Sequence, residues 1–537
     1  MDFFILRGTL VLPRDSSMGI ASVLAGTALA VYITRLCLKY YQVVRSVGNL
    51  PGFTTLITPL TPLSNTLPPI PFINVGTTRE IKTRYADFAA SGHDAYAHYS
   101  IWPEPCATLF VADPSAIKEI TTHRARFPKP VEIYSVLTFF GNNIIASKGE
   151  EWKRYRKVCA PAFSERNNKL VWDESIRIVN DMIGNVWKHA DIMSFDHVVD
   201  MTLPLALFVI GVAGFGRRMS FTEELEVPAG FTMNFKDALH VVSGGVIIKL
   251  AIPKRALGLT QRFREVNLAF NELEMHMKQM IYSRKLSEKE EERHDLFSNL
   301  LDAANDDTDG EPKLADSELV GNIFIFLLAG HETTAHTLAF CFALLALYPD
   351  KQEKLFQDIT RITTELGRLP AYEDMPLFTY SMAVFYETLR IQPPVVAIPK
   401  YSEEDTTLNV LNAEGRRTTI PIPKGTGIAV HTPGLHNNPR YWNNPYEFLP
   451  ERFLADYNRD AFLPFSAGAR ACLGRRFFET EGMAILTILM SQYRVEVKED
   501  PKYAGETHEQ RRARLFKSAV VLTTTPVNVP LTFKRRA

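Results

Sequence analysis

The stretch Phe465-Ser466-Ala467-Gly468-Ala469-Arg470-Ala471-Cys472-Leu473-Gly474 sets one cysteine between two glycines, with Arg470 before it and Arg475 and Arg476 after it. The apolar run Phe477 to Met490 that follows reads as a helix, so Cys472 stands just ahead of a helix N-terminus. Unpaired amides at such a terminus stabilise a thiolate, as do nearby guanidinium groups. Glycines let backbone amides approach the sulfur closely. A thiolate in this setting suits a soft metal or a haem iron. A buried structural cysteine in a glycine-rich turn is the other reading, and the loop alone leaves both open.

The chain around this loop has 537 residues, 46% of them hydrophobic and 22% charged, which excludes wholesale disorder, collagen and coiled coil. Its 60 Lys and Arg balance 60 Asp and Glu, so no global charge draws it to nucleic acid. Cys37, Cys106, Cys159, Cys341 and Cys472 form no C-x-x-C pair, which removes zinc knuckles and dithiol redox motifs. An odd, sparse count argues for a reducing compartment.

Ser16 to Thr34 carries no charge and, as a helix, would span roughly 30 Å, one hydrocarbon core. Arg35, Lys39 and Arg45 follow it, while Arg7 and Arg14 precede it, a balance that tips the C-terminal side towards the cytoplasm. A cleaved signal peptide is the rival, disfavoured by the length of the stretch and the basic residues behind it. Residues 1–45 are therefore expected to be a membrane anchor. Pro51, Pro59, Pro62, Pro68, Pro69 and Pro71 predict a stiff extended spacer over 46–71. Residues 72–537 read as one soluble body.

Helical patterning dominates that body. Gly321 to Leu347 is too apolar all round for a surface helix and is expected at the centre of the fold. A second membrane span is rejected, because Gly330-His331-Glu332-Thr333-Thr334 would be costly in lipid. Leu286 to Arg293 is a charge run expected on a solvated helix face or loop, and Asp306 to Gly310 a turn. Strand patterns cover Gly427 to Val430, and a hairpin is expected from Ala519–Thr525 and Val529–Phe533 around Pro526-Val527-Asn528. The expected class is mostly α with small β-sheets.

The pattern F-x-x-G-x-R-x-C-x-G resembles the haem-binding loop of the cytochrome P450 family at every fixed position, including Phe465, Gly468, Arg470, Cys472 and Gly474. Other family signatures follow in order. Trp152 and Arg156 resemble its W-x-x-x-R, and Ala329 to Thr334 its A-G-x-E-T-T. Glu387 to Arg390 resembles its E-x-x-R, His436 to Trp442 its H-x-x-P-x-x-W, and Pro450 to Phe453 its P-E-R-F. The resemblance runs from about residue 70 to the end, and with the anchor it is closest in style to microsomal, fungal members.

The resemblance implies haem b with Cys472 as the axial iron ligand. It implies that Trp152, Arg156 and Arg470 meet the haem propionates. Where the family usually carries an arginine after Pro393 to Pro399, this chain has Lys400, which supplies charge without the bidentate fork. Glu387 and Arg390 share one helix face at i, i+3. With Arg452 the resemblance makes them a charged lock behind the cysteine loop; an exposed pair worth only ~0.3–0.5 kcal/mol is the alternative.

Glu332 and Thr333 are expensive in an apolar helix unless satisfied. Thr333 bonding its own i−4 carbonyl is one reading; the resemblance implies proton delivery by both residues during oxygen activation. His331-Glu332 with His336 mimics a zinc-protease motif, but the spacing is i, i+5, about 140° apart on a helix, and Ala335 fills the required position. A zinc site is rejected.

There is no G-x-G-x-x-G, the nearest being Gly425-Thr426-Gly427, and no P-loop, so electrons must come from another protein. The resemblance implies NADPH–cytochrome P450 reductase, with cytochrome b5 as a second donor. Arg470, Arg475, Arg476, Lys153, Arg154 and Lys157 would offer it a basic face, or form an ordinary solvated cluster. The implied activity is insertion of one atom of O2 into a lipophilic substrate. A haem-thiolate isomerase or dehydratase and a non-catalytic haem binder are the competing readings. Pocket walls are implied at Val136, Phe139, Phe140, Phe326, Ala329, Val396, Ile398 and Phe516, an apolar lining that suits a terpenoid-like secondary metabolite, with fatty acids or xenobiotics as the alternative. The implied location is the endoplasmic reticulum membrane, single-pass, with the body in the cytoplasm.

Overall fold

The charge-free stretch does not stop where its charges begin: Ser16–Ser46 is one continuous helix. The computed structural model describes residues 16–536 apart from 60, 62, 65–66, 218, 222–226, 288–294 and 306–312. Arg7, Arg14, Pro62, most of the 286–293 charge run and the 306–310 turn lie outside the described residues. Among the described residues two helices are long and apolar enough to cross a membrane. The first leaves Val23, Leu24, Leu29 and Val31 exposed, as an anchor requires. The second, Asp316–Leu347, is buried at the centre of the fold.

The last turns of the N-terminal helix belong to the body. Tyr40, Val43 and Val44 pack on the smaller of two hydrophobic cores. The Tyr40 hydroxyl shares a 2.6 Å hydrogen bond with Thr54, and Lys39 pairs with Glu104. The expected spacer over 46–71 is likewise tied in. Val47 and Leu50 are buried, and Gly52–Ile57 is a strand that runs parallel to Ala95–Trp102. The prolines hid this strand, whose Thr55 and Ile57 alternate inward between them. Asn74 Nδ2 then donates to the carbonyls of Ser64 and Leu67 and closes the segment on itself.

The smaller core lies against a five-stranded sheet ordered Gly52–Ile57, Ala95–Trp102, Cys106–Val111, Gly427–His431, Ala397–Tyr401. The larger core surrounds the central helix Asp316–Leu347. That helix packs most closely on Val199–Phe215, itself apolar on every face, and a Cβ on Gly330 would meet Ile210 at 2.9 Å. Glycine is what permits that crossing distance. Helices Thr379–Ile391 and Arg475–Gln492 lie against the same central helix.

The C-terminal hairpin differs from expectation. Ser518–Val520 pairs with Thr524–Pro526, while Leu531–Arg535 leaves to join Tyr493–Val497 and Ile192–Phe195. Its Leu531 and Phe533 are fully buried in the main core, with Phe533 edge-on to Phe342. Tertiary burial, rather than proximity in sequence, selects the partner strand. The strand expected at Gly427 is present, extended to His431.

Deleting residues 1–35 is predicted to leave the thermal midpoint unchanged. Extending the deletion to residue 46 should lower it, because half-buried Tyr40, Val43 and Val44 together contribute ~1–3 kcal/mol. Thermal unfolding of the two truncations followed by circular dichroism checks this.

Candidate active site

The segment that carries Cys472 is suspended from a buried ion cluster. Arg390 donates from Nε to Glu387 Oε2 at 2.7 Å and from Nη2 to Oε1 at 2.8 Å, a bidentate pair with both side chains fully buried. Arg452 Nε reaches the same carboxylate at 3.1 Å, and the Leu449 amide donates to it at 2.9 Å. The remaining guanidinium hydrogens go to backbone carbonyls. Arg390 donates to His436, Pro445 and Glu447, and Arg452 to Asn443 and Asn444. The cluster therefore pins residues 436–449 and makes no bond to the cysteine loop itself. The link is His436, whose Nε2 accepts the Leu463 amide at 2.8 Å just before the loop begins.

The loop has little freedom. The Cys472 amide donates to Phe465 O at 2.9 Å, and the Phe465 ring stands edge-on to Phe478. Gly468 has φ +69°, and a Cβ there would sit 2.3 Å from the Thr121 carbonyl oxygen, so only glycine fits. Arg156 donates to Ala471 O at 3.3 Å. The helix Arg475–Gln492 begins directly after Gly474, whose amide is directed at the Cys472 thiol. Cys472 is open to solvent, yet the protein packed around the sulfur desolvates the thiol and pushes its pKa up. The Gly474 amide, Arg156 and Arg475 pull the other way without overcoming it.

Beside the loop lies a group of cations, with Lys400 buried and Lys129, Arg156 and Arg470 half-buried. Lys129 is pushed down to about 7 by burial, then by Arg470 and Lys400. Lys400 is lowered to about 8 by burial and then Arg470, and Arg470 to about 10 by burial, Arg124 and Arg156. Arg470 donates to Ser147 O at 2.8 Å and stacks 4.4 Å from the centre of the buried Trp152 ring. Lys129 Nζ donates to Ile145 O at 2.8 Å. Cations that raise one another's energy in this way match a dianionic ligand, and with a thiol at the helix N-terminus this donor set fits a haem with two propionates. Lys129 and Arg124 escaped the sequence reading. The one signal was a lysine locked between Pro128 and Pro130.

On the central helix, Ala329 is exposed in the middle of an otherwise buried element, and Phe326, Gly330 and Thr333 are half-buried. They share one face at i, i+3, i+4, i+7. Phe340, two turns past Thr333 on that face, stacks on Phe516 at 5.7 Å. Thr333 Oγ1 donates to the Ala329 carbonyl at 3.0 Å, so the i−4 bond is present on the open face. Glu332 lies near Ser243 of the helix Phe235–Ala251, whose hydroxyl donates to the Leu239 carbonyl, and burial raises the Glu332 pKa to about 7. His331 and His336 are buried and held neutral by desolvation, at about 4 and about 3, and no group of three or more metal-ligating side chains occurs among the described residues.

The residues expected to line a pocket differ in exposure. Val136 and Phe139 are half-buried. Phe140 is buried in an aromatic cluster, stacked on Phe270 and 4.7 Å from Phe324. Val396 is also buried, its carbonyl accepting the Thr432 amide, and Ile398 belongs to the sheet. Val395 beside it is 40% exposed. The expected basic face shrinks as well. Arg154 is bonded to Glu318, Arg475 to Glu479 and Lys153 to Glu150, while Arg470 points inward.

The cytochrome P450 family profile matches residues 66–515. The chain belongs to the cytochrome P450 family. A curated relative, cytochrome P450 monooxygenase 124 of Postia placenta, is 55% identical over 87% of this chain and 90% of its own length. Cyclooctat-9-en-7-ol 5-monooxygenase of Streptomyces melanosporofaciens is 28% identical, over 73% of this chain and 81% of its own. Among solved structures, the haem domain of cytochrome P450DA superposes with TM-score 0.68 at 22% identity, covering 85% of this chain and 93% of that one. The protein is thus a cytochrome P450 monooxygenase of the mostly helical P450 fold, a family defined by a haem-thiolate centre and dependent on a redox partner.

Replacing Glu387 by Gln should leave Arg390 and Arg452 buried without a carboxylate, at a cost of ~3–5 kcal/mol. Denaturant midpoints and retained haem are both expected to fall. Lys153→Ala, on the exposed side of the same region, should change stability by less than ~0.5 kcal/mol.

Proposed function

We propose that this P450 inserts one atom of O2 into a lipophilic, terpenoid-like secondary metabolite, using haem b held by Cys472. The reading rests above all on a loop cysteine beneath a helix N-terminal amide, flanked by the cations Lys129, Lys400 and Arg470, which depress one another. Trp152, Arg156, Arg470 and Lys400, joined by Lys129, would hold the propionates, and Phe465, Gly468 and Gly474 would shape the loop around the sulfur. When bound, the haem supplies oxygen activation, which thiolate donation favours by promoting O–O cleavage. Glu387, Arg390 and Arg452 act further back, fixing the frame from which the loop hangs.

Proton handling falls to the central helix. Glu332, with a pKa of about 7, can both hold and release a proton at neutral pH. Thr333 presents its hydroxyl on the open face beside Ala329 and Gly330, where one water can complete the path from the acid. An isomerase or dehydratase has no use for such an acid, which favours the monooxygenase. Val136, Phe139, Phe140, Phe326, Ala329, Val396, Ile398 and Phe516 would offer a substrate hydrocarbon contact and few polar anchors. The Streptomyces relative, named for a monooxygenase acting on cyclooctat-9-en-7-ol, lends support to a terpenoid-like substrate.

Electrons would come from NADPH–cytochrome P450 reductase, with cytochrome b5 as a second donor, both approaching the cysteine-loop side. We assign the endoplasmic reticulum membrane as the location, with the catalytic body in the cytoplasm. The anchor gives way to the catalytic body through a segment that is partly built into the sheet. An apolar surface next to the anchor suits this setting. Leu56, Ile70, Ile73 and Trp102 are exposed there, and Phe72, at φ +63°, is 86% exposed.

A panel of lipophilic compounds screened for haem spectral shifts, followed by NADPH and product measurements with added reductase, tests the activity. In that assay Thr333→Ala should keep haem and substrate binding and still consume NADPH. Product per NADPH should fall, up to the ~10²–10⁴-fold range of general acid–base catalysis, with peroxide released instead. Equal coupling in the two proteins would leave Thr333 as a packing residue.

A further inference from the structure

The hairpin formed by Ser518–Val520 and Thr524–Pro526 closes on the turn Val521 to Thr523, where the Val521 amide donates to the Thr523 carbonyl at 3.3 Å. That turn is attached on two sides. Thr523 is buried, and its Oγ1 shares a 3.2 Å hydrogen bond with His336 Nδ1 on the central helix. Thr524 is fastened to Pro393-Pro394: its amide donates to the Pro394 carbonyl at 2.9 Å, and its hydroxyl to the Pro393 carbonyl at 2.8 Å. Among the described residues, the bond to His336 is the one hydrogen bond between this hairpin and the central helix.

The position of His336 gives the bond its reach. It lies three residues past Thr333, about 4.5 Å along the helix axis. Phe340, at i+4 from His336, stacks on Phe516 at 5.7 Å, so one helix face holds both the foot of the hairpin and its turn. On the other side, Pro393-Pro394 leads directly into Val395 and Val396. The turn is therefore strung between the helix that carries Thr333 and the segment proposed to bound the substrate. Between its two attachments stand Val521, 44% exposed, and Leu522, half-buried against the main core.

The bond does not depend on charge. Desolvation keeps the His336 ring neutral, and its titratable neighbours are the histidines His331, His197 and His240. Nδ1 of a neutral ring donates in one tautomer and accepts in the other, and a threonine hydroxyl can do either, so the pair stays bonded in both. A buried hydroxyl that loses its partner is costly, which keeps Thr523 at His336 and the turn at one depth.

We propose that His336 is a positioning residue for substrate selectivity: by holding Thr523 it fixes how far Val521 and Leu522 project towards the Thr333 side of the site, and so sets the bulk of lipophilic ligand that fits there. The proposal rests on the reading in which the substrate lies between the central helix and the segment after Pro394.

Azole binding to the full-length holoenzyme tests this whatever the natural substrate is. Imidazole, 4-phenylimidazole and clotrimazole, in order of increasing bulk, are titrated by the haem spectral shift. His336→Leu and the near-isosteric Thr523→Val free the turn. Each should tighten clotrimazole binding roughly threefold to tenfold, the size of one lost hydrogen bond, and leave imidazole within about twofold. His336→Asn keeps a hydrogen-bonding atom in the place of Nδ1, and Thr523→Ser keeps the hydroxyl; both should bind the three azoles as the native protein does. Leu522→Ala trims the turn directly and should also tighten clotrimazole, with no further gain when His336→Leu is added. A role confined to stability would lower the thermal midpoint of His336→Leu and leave the ratio of clotrimazole to imidazole affinity at its native value. That result overturns the proposal, as do equal changes for all three azoles or additive gains in the double variant. Phe326→Ala, on the open face of the central helix, separates the two ideas. If it changes clotrimazole affinity and His336→Leu does not, the pocket reading stands and the role of His336 falls. If Phe326→Ala changes no affinity, the pocket reading falls and the proposal falls with it.

Discussion

The Glu387 carboxylate is the point from which the site hangs. A fully buried charge is tolerable only when its lone pairs are filled, and here two guanidinium groups and a backbone amide fill them. The same guanidinium groups spend their remaining hydrogens on carbonyls between His436 and Glu447. A segment with almost no regular secondary structure is thereby held as firmly as a strand. Through His436 that rigidity passes to Leu463 and the loop that follows. Replacing such a cluster with apolar residues could match its stability, but could not specify the path of the backbone.

Across from the loop, the central helix contributes the opposite chemistry. It is apolar enough to be buried on all sides, and its exposed residue Ala329 marks the face that opens inward. Two acids touch this helix without a cationic partner. Burial balances Glu332 near neutrality and pushes Glu481, deeper and bonded by Thr334, further up. One is suited to exchanging a proton and the other to keeping it. The cations beside the loop show the complementary effect, with Lys129 and Lys400 losing basicity to burial and to their neighbours. An anionic ligand would reverse that loss, so these residues favour a bound dianion over a free site.

Chemistry that demands fixed spacing was legible in the sequence. Glu387 and Arg390 must share a helix face, Cys472 must precede a helix, and Gly468 must adopt a positive φ; each left a local pattern. The buried central helix announced itself by hydrophobicity alone. What depended on distant partners did not. The strand Gly52–Ile57 lay hidden among prolines, because its pairing with Ala95–Trp102 is a tertiary fact. Leu531–Arg535 is too short for its pattern to name a partner, and burial of Phe533 decided it. The exposure of adjacent residues was also beyond reach: Phe140 is buried and Phe139 half-buried although both pack on Phe270, and Val396 is buried beside exposed Val395. Lys129 joined the cation group only through the fold.

The account stands on Cys472 as the ligand held in place by this framework, and the reduced carbon monoxide spectrum of Cys472→Ser beside the native protein tests that most directly. The native protein should give the red-shifted Soret band of a thiolate-ligated haem with carbon monoxide, and the variant should lose it while keeping the fold. A Cys472→Ser protein that retained the red-shifted band would contradict the account.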